Sequence, residues 1–410
     1  MVSVNQNLFP DQEQLTDFMD NDMKGTYPST VHDWMVAIRR PVPYRVGNAK
    51  LHIKPRFLAY AAIFAGAVLI LVVMFLPNPS NLAINCPRDN FHSNRFYNSI
   101  YPLSKPILTE AGLKYRIAII ADLDTQSFRK SNTWISYMKL GNLTISDDFT
   151  KISVEFESKM LTLSSTLSQG GRGMELSELV TYNGNLYTVD DRTGVVYLIK
   201  NNNVIPWVVL TDGNGESNKG FKSEWACVKD ENLYVGSLGK EWTSTTGVVK
   251  NLNPQWIKVI NKDGAVKHID WHENYNALRK KTRTMLPGYL IHESAVWSTI
   301  HRRWFFLPRR LSRESYDENA DERRATNILI SCDEKFSQIQ IRYIQPLNPT
   351  HGYSSFKFVP GTHDTVIIAL KSEEDNGNIA SYIQSFNING NVLLAETKIG
   401  NQKFEGIEFI

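Results

Sequence analysis

From Tyr115 to Ile410 the chain reads as one short β-strand after another, and this constrains its fold more than any other feature. Segments such as KYRIAIIADLD, KISVEFE, GVVYLIK, QWIKVIN, TVIIALKSE and EGIEFI are rich in β-branched and aromatic residues. Asn-Gly and Arg-Thr-Gly turn signals separate them. Only Glu273 to Arg283, ENYNALRKKTR, has helical character. Many short strands without a helical layer leave a sandwich, a barrel or a propeller. A faint repeat separates these: NGNLYTVDDRTG and ENLYVGSLGKEWTSTTG share an NLY core followed by a polar turn and Gly, and NGNVLLAETKIG is a weaker third instance. The spacing falls near the roughly 40 to 50 residues of a propeller blade, which predicts an all-β propeller of about five to six blades.

The N-terminal part obeys other rules. Phe57 to Leu76 is an uncharged apolar run of about the length a helix needs to cross a bilayer. A buried core helix is the competing reading, but such a helix normally carries a polar stripe. Arg39, Arg40, Arg45, Lys50, Lys54 and Arg56 precede the run, so the positive-inside rule keeps the N-terminus in the cytosol and sends the C-terminal bulk across the membrane. About 55 residues stand before the run, more than a cleaved signal peptide allows. The expected organisation is a loosely structured cytosolic tail at 1–56, a signal anchor at 57–76, a lumenal stem at 77–114 and the propeller at 115–410. Asn142-Leu143-Thr144 is an open glycosylation sequon, whereas Asn78 and Asn348 are each followed by proline. Cys86, Cys227 and Cys332 are too few and too scattered for a disulfide framework or a zinc site.

With 45 Lys+Arg against 42 Asp+Glu, the chain has no bulk charge to attract nucleic acid. Any anionic ligand must be met by local placement. In a propeller the innermost strand of each blade lines the axis, and Ser177, Glu224, Glu293, Ser354 and Glu405 recur at blade-like intervals among apolar neighbours. A solvated or salt-bridged role is the ordinary reading of any one of these glutamates. Three carboxylates facing one axis need a counter-charge, and Ca²⁺ suits oxygen ligands in irregular geometry.

A second set pairs Arg172, Arg192, Lys240, Arg309, Arg310 and Lys371 with Asp122, Asp124, Glu175, Asp190, Asp191 and Glu373 at strand ends and turns. Guanidinium and ammonium groups bind phosphate oxygens, and a carboxylate can orient or deprotonate a water for attack on phosphorus. Taken singly, each pair is more simply a surface ion pair. No GxxxxGK[ST] loop occurs, so a nucleotide would be held by side chains. Trp225, Trp242 and Tyr353 could stack on a base, although core packing is the commoner role. A phosphate-cleaving enzyme and a non-catalytic lumenal binding module both remain open.

The motifs GRGMELSELV, VDDRTGVVY, DGNGESNKGFKSEW, PGYLIHESAVWS, RRWFFLPRR, THGYSSFKFVP and ETKIGNQKFEGIEFI resemble those of the calcium-activated nucleotidases, the soluble calcium-activated apyrases, over about residues 92 to 410. The tail and anchor resemble the layout of that family's membrane-anchored vertebrate members. The resemblance implies five blades, a central Ca²⁺ and hydrolysis of nucleoside di- and triphosphates, with UDP and GDP preferred, in support of glycosylation and proteoglycan synthesis. It implies a type II protein of the Golgi and endoplasmic reticulum, and leaves room for a secreted cleaved form and a calcium-dependent homodimer. Its calcium ligands fall on Ser177, Glu224, Glu293, Ser354 and Glu405, the serines through backbone carbonyls. Glu178 stands where some relatives have Asp, which puts a side-chain role there in doubt. At the mouth, Arg172, Arg192 and Arg309 are expected to clamp the phosphoryl group beside Glu175, while Asp122, Asp124 or Asp191 handles the water.

Overall fold

A computed structural model describes residues 42–46, 49–53, 55–75 and 96–410, and side chains for 59–70 and 96–410. The chain divides into two units, Met1–Arg95 and Phe96–Ile410. In the first, Val42–Val46 pairs antiparallel with Ala49–Ile53, a hairpin where the sequence predicts loose structure. Pro55–Phe75 follows as one 21-residue helix. Within residues 59–70 and 96–410 no helix is long and apolar enough to cross a membrane, so the anchor at Phe57–Leu76 rests on the sequence run. Cys86 and the stem up to Arg95 lie outside the described residues.

The second unit is a five-bladed β-propeller. Blade 2 is Leu176–Tyr182, Asn185–Asp190, Val195–Lys200 and Asn203–Val209, from the axis outward. Blade 3 is Trp225–Lys229, Asn232–Gly236, Trp256–Ile260 and Val266–Asp270. Tyr289–Ser298, Arg303–Ser312, Ile328–Asp333 and Gln340–Tyr343 form blade 4. His351–Phe358, Val366–Asp375, Asn378–Asn387 and Val392–Gly400 form blade 5. Blade 1 is composite: the C-terminal strand Lys403–Phe409 lies innermost and pairs with Gly112–Asp122, followed outward by Thr133–Ile145 and Ile152–Ser165. The two ends of the propeller thus share one sheet. The five inner strands touch in a closed circle, each against the next. Each blade remains a separate sheet whose outermost strand is an edge, and the ring covers its two faces with the neighbouring blades.

The sequence pattern follows from this geometry. In Gly112–Asp122, Ile117, Ile119 and Ala121 pack toward blade 5 while Ala118 and Ile120 pack toward blade 2. A strand covered on both faces needs apolar residues at consecutive positions, which is why IAIIA does not alternate. Three further clusters fill the gaps between the remaining blades; the one between blades 3 and 4 is built on Trp225, Trp271, Trp297 and Trp304. The two strong NLY repeats are equivalent, each opening the second strand of its blade, whereas NVLL falls on the outermost strand of blade 5 and is no repeat. The expected helix forms at His272–Thr282, burying Tyr275, Leu278, Arg279 and Thr282 on one stripe and ending at Arg283 with φ 60°.

Four inner strands carry a β-bulge at the same level. The pairing with the second strand skips Ser177 in blade 2, Glu293 and Ser294 in blade 4, Ser354 in blade 5 and Glu405 in blade 1. In blade 3, Trp225 pairs with Gly236, and the Glu224 N–H also donates to the Gly236 carbonyl, at 2.8 Å. A bulged residue leaves the ladder and is re-aimed, so in these four blades the residues at this level are freed from pairing with the second strand.

At Gly406, beside the blade 1 bulge, an added Cβ would lie 2.5 Å from Leu179 N. Gly406→Ala is therefore expected to cost about 1–3 kcal/mol, read as a lower denaturant midpoint; an unchanged midpoint would show that the strands have slack. Cys227 and Cys332 are buried free thiols, each pushed up to about 12 by burial. A thiol reagent should label neither in folded Cys86→Ser protein and both after unfolding.

Candidate active site

The N-terminal ends of the inner strands open into a cavity of about 500 Å³ lined by acidic and basic side chains. One ion-pair network runs around it. Lys403 Nζ reaches Asp122 at 2.6 Å, Asp124 at 2.7 Å, Glu374 at 3.5 Å and Glu405 at 3.8 Å. Arg309 Nη1 donates to Glu293 at 2.5 Å and Glu405 at 3.0 Å, and its Nη2 to Glu374 at 2.5 Å. Arg172 binds Glu175 through Nε and Nη2, both at 2.6 Å, and reaches Asp124 at 3.2 Å. Arg192 Nε donates to Glu175 at 2.8 Å and lies 3.8 Å from Asp191. Lys222 joins Asp191 to Glu224, at 2.7 Å from the latter.

The structure brings Asp122, Asp124, Arg172, Glu175, Asp191, Arg192 and Arg309 into one ion-pair network. Not all face the cavity: Arg172 and Glu175 stand behind it, holding Arg192 and Asp124. Sequence reasoning missed Lys222, Glu374 and Lys403. Lys222 and Lys403 each stand two residues before a predicted axial glutamate, a spacing that puts both side chains on one face of an extended chain. Lys371 and Glu373 do not line the cavity; Lys371 pairs with Glu396 at 2.6 Å and Glu373 accepts from Tyr382 at 2.6 Å. Asp190 is also absent from it and instead accepts the N–H groups of Met174, Arg192 and Thr193 to fix the turn. Trp225 and Tyr353 are fully buried in the core, whereas Trp242 lines the cavity.

Charge balance sets the proton affinities. The network holds eight carboxylates (Asp122, Asp124, Glu175, Asp191, Glu224, Glu293, Glu374, Glu405) against the five cations Arg172, Arg192, Lys222, Arg309 and Lys403. Burial pushes Asp122 up to about 7 against the pull of Lys403, and Glu224 up to about 8 against Lys222, with Glu293 adding repulsion. Burial also carries Glu405 well above the usual carboxylate range. Although burial opposes it, Lys403 and Arg172 hold Asp124 below its ordinary value. Lys403, Lys222 and Arg309 keep their protons far above their ordinary values because carboxylates surround them, despite burial.

An axial dication fits this chemistry. Glu224, Glu293 and Glu405 supply three carboxylates, the last two at bulges, and the net negative charge of the network is uncompensated. Ser177 Oγ is buried without a hydrogen-bond partner, and so is Glu224 Oε1, which touches Lys222 without hydrogen-bond alignment. Ser354 Oγ donates to the Phe404 carbonyl at 3.3 Å, so its side chain is already engaged. Asp122, Asp124 and Glu175 also bring oxygens within 4.8 Å of one another, but Arg172, Arg192 and Lys403 already neutralise them.

Glu178 has a structural part. Its carboxylate accepts from Ser355 Oγ at 2.8 and 3.0 Å and meets Lys357 Nζ at 3.2 Å, joining blades 2 and 5, which are not neighbours in the ring. Beyond it, a second cavity of about 410 Å³ occupies the opposite end of the inner strands. Its Glu408 is saturated by Tyr101 Oη, Thr181 N and Phe409 N, each at 2.8–2.9 Å. The concentration of unsatisfied charge is at the mouth.

Compared with known proteins, residues 122–410 match the family model described as Apyrase. The chain is 52% identical over 365 residues to soluble calcium-activated nucleotidase 1 of Rattus norvegicus, covering 87% of this chain and 90% of the relative. It is 46% identical over 317 residues to the apyrase of Cimex lectularius, with 76% and 87% covered. The β-propeller domain of Nup133 from Vanderwaltozyma polyspora overlaps 75% of this chain and 91% of its own at 11% identity, but at a TM-score of 0.28 it carries no argument.

Lys403→Met would leave Asp122 and Glu405, which are 3% and 5% exposed, without their shared ammonium. Stability measured by denaturant unfolding should fall by about 3–5 kcal/mol. An unchanged midpoint would mean that the network is not what holds these carboxylates.

Proposed function

Since the chain belongs to the apyrase family, we propose that it hydrolyses the terminal phosphoanhydride of nucleoside di- and triphosphates, UDP and GDP first, at the charged mouth and in dependence on calcium. The observation that carries this reading is a charged cavity in which two buried carboxylate oxygens have no hydrogen-bond partner, Glu224 Oε1 among the residues suited to calcium and Asp191 Oδ1 outside that set. Asp122 and Asp124 are less available, because Lys403, Arg172 and the Asp124 N–H occupy them. Asp191 therefore orients the water and accepts its proton as oxygen attacks the terminal phosphorus and the bridging P–O bond breaks toward the nucleotide. Lys222, bound to Asp191 Oδ2, keeps that carboxylate turned inward. Arg192 and Arg309 face the oxygens on which charge accumulates. Glu224, Glu293 and Glu405, with the main chain at Ser177 and Ser354, would hold calcium, which adds positive charge opposite the substrate's phosphates when bound. Trp242 offers a ring to the base.

The location belongs to the same proposal. The apolar run and its cytosolic-side basic residues make this a type II protein with the propeller in the lumen of the Golgi and endoplasmic reticulum, where removal of nucleoside diphosphates supports glycosylation. A calcium-dependent homodimer fits this proposal, and a secreted cleaved form does too. A binding module without catalysis would need neither a free buried carboxylate oxygen nor matched cations around it.

Phosphate release from UDP should require calcium and be abolished by chelation, and Asp191→Asn should lower kcat by about 100-fold or more. No release from any nucleoside diphosphate by the wild-type protein with calcium would sink the enzymatic reading.

A further inference from the structure

The cations of the mouth fall into two classes. Arg309, Lys403, Lys222, Arg172 and Arg192 each hold carboxylates at close range and have little capacity to spare. Arg310 and Lys240 differ: both line the cavity and are 3% and 4% exposed, and they stand outside that network. Arg310 Nη1 is buried with no hydrogen-bond partner, and among the described residues its one ion pair is the distant contact from Nε to Asp321, at 3.8 Å. Lys240 has no ion pair among the described residues; its Nζ donates to the Glu241 carbonyl and Thr243 Oγ1, both neutral and both at 3.0 Å. Burial pushes Lys240 down to about 8 and, with help from Arg309, lowers Arg310 from its ordinary value. Buried cations whose only carboxylate neighbours are distant are costly, so the presence of two on one cavity calls for an anion supplied from outside.

Their position says which anion. Lys240 Nζ sits 4.3 Å from the Tyr316 ring centroid, and its Thr243 partner follows Trp242. Two insertions make this wall: the hairpin of Trp242–Thr243 with Val249–Asn251, and the blade 4 segment ending in Glu318–Asp321. The Glu318 N–H donates to the Thr245 carbonyl at 3.2 Å and fastens them together. A ring that suits a nucleoside, Tyr316, therefore lies next to Lys240, and Trp242 lines the same cavity. Gly352 makes room for Arg310: an added Cβ would lie 2.9 Å from its Nη1 and 2.5 Å from Arg309 Cγ.

We propose that Arg310 and Lys240 form a subsite for the phosphate that stays with the nucleoside, separate from the Arg309–Lys403 side where the terminal phosphate is cut. The guanidinium and ammonium donate to its oxygens and neutralise the leaving group as the P–O bond breaks. Substrate is thereby held by its non-reacting phosphate, and the nucleoside monophosphate left after hydrolysis keeps the same contacts. The subsite rests on the nucleotidase reading for the identity of its ligand, not for its existence.

Uridine monophosphate binding, measured by calorimetry on the full chain, tests it without turnover. Arg310→Gln and Lys240→Gln should each weaken binding by about 10-fold or more, and Arg310→Lys and Lys240→Arg should restore part of it. Asp191→Asn should lose hydrolysis yet bind the monophosphate like wild type. Melting temperatures within a few degrees of wild type exclude a folding defect, and if Arg310→Gln fails that control, Lys240→Gln decides alone. Binding unchanged in a folded variant, or absent in the wild type, overturns the subsite. Binding that depends on Arg310 in a wild type that releases no phosphate would keep the subsite and discard the hydrolase.

Discussion

The pairing of Lys403–Phe409 with Gly112–Asp122 is the contact on which the rest depends. It joins strands from opposite ends of the propeller and closes the ring. The last ladder pair sets Lys403 opposite Asp122, and their side chains form a 2.6 Å ion pair. Closure of the fold and assembly of the mouth are thus one event. Until the final strand docks, Asp122 and Asp124 lack Lys403, and Arg309 lacks Glu405.

The second constraint is electrostatic. Gathering eight carboxylates, five of them buried, is tolerable only with cations interleaved among them, and the five in the network leave a deficit that a divalent ion would reduce. This divides labour among side chains of the same type. Arginines and lysines of the network neutralise the protein's own carboxylates, whereas Arg310 and Lys240 have no carboxylate at close range. Adjacent in sequence, Arg309 and Arg310 end up in different classes because only Arg309 reaches Glu293, Glu374 and Glu405.

The axis is stiffened below the mouth. Glu178 ties blade 2 to blade 5 through Ser355 and Lys357, and Ser355 Oγ also accepts from Ile407 N of blade 1 at 3.3 Å. Three inner strands that carry bulged residues are fixed by one carboxylate and one hydroxyl. Such support holds the bulge positions beneath the mouth.

Local chemistry made much of this legible in the sequence. Consecutive β-branched residues such as IAIIA specify strands buried on both faces, and the NLY repeats marked equivalent positions of blades 2 and 3. The five axial candidates could be found because a polar residue embedded in an apolar strand is conspicuous. The bulges that re-aim them could not, since a bulge is a mismatch between two strands and belongs to neither alone. Lys403 and Glu374 were invisible as partners, being distant from Asp124 and Arg309 in sequence and joined to them only by ring closure. Trp225 and Trp242 illustrate the same limit: identical side chains, one sealed in the core and one on the cavity wall. Sequence determined the strands, their two-sided burial and the residue types at the axis, because these follow from neighbours along the chain. Tertiary structure decided which charges meet, which stay unpaired and which face the cavity, because those depend on distances between blades.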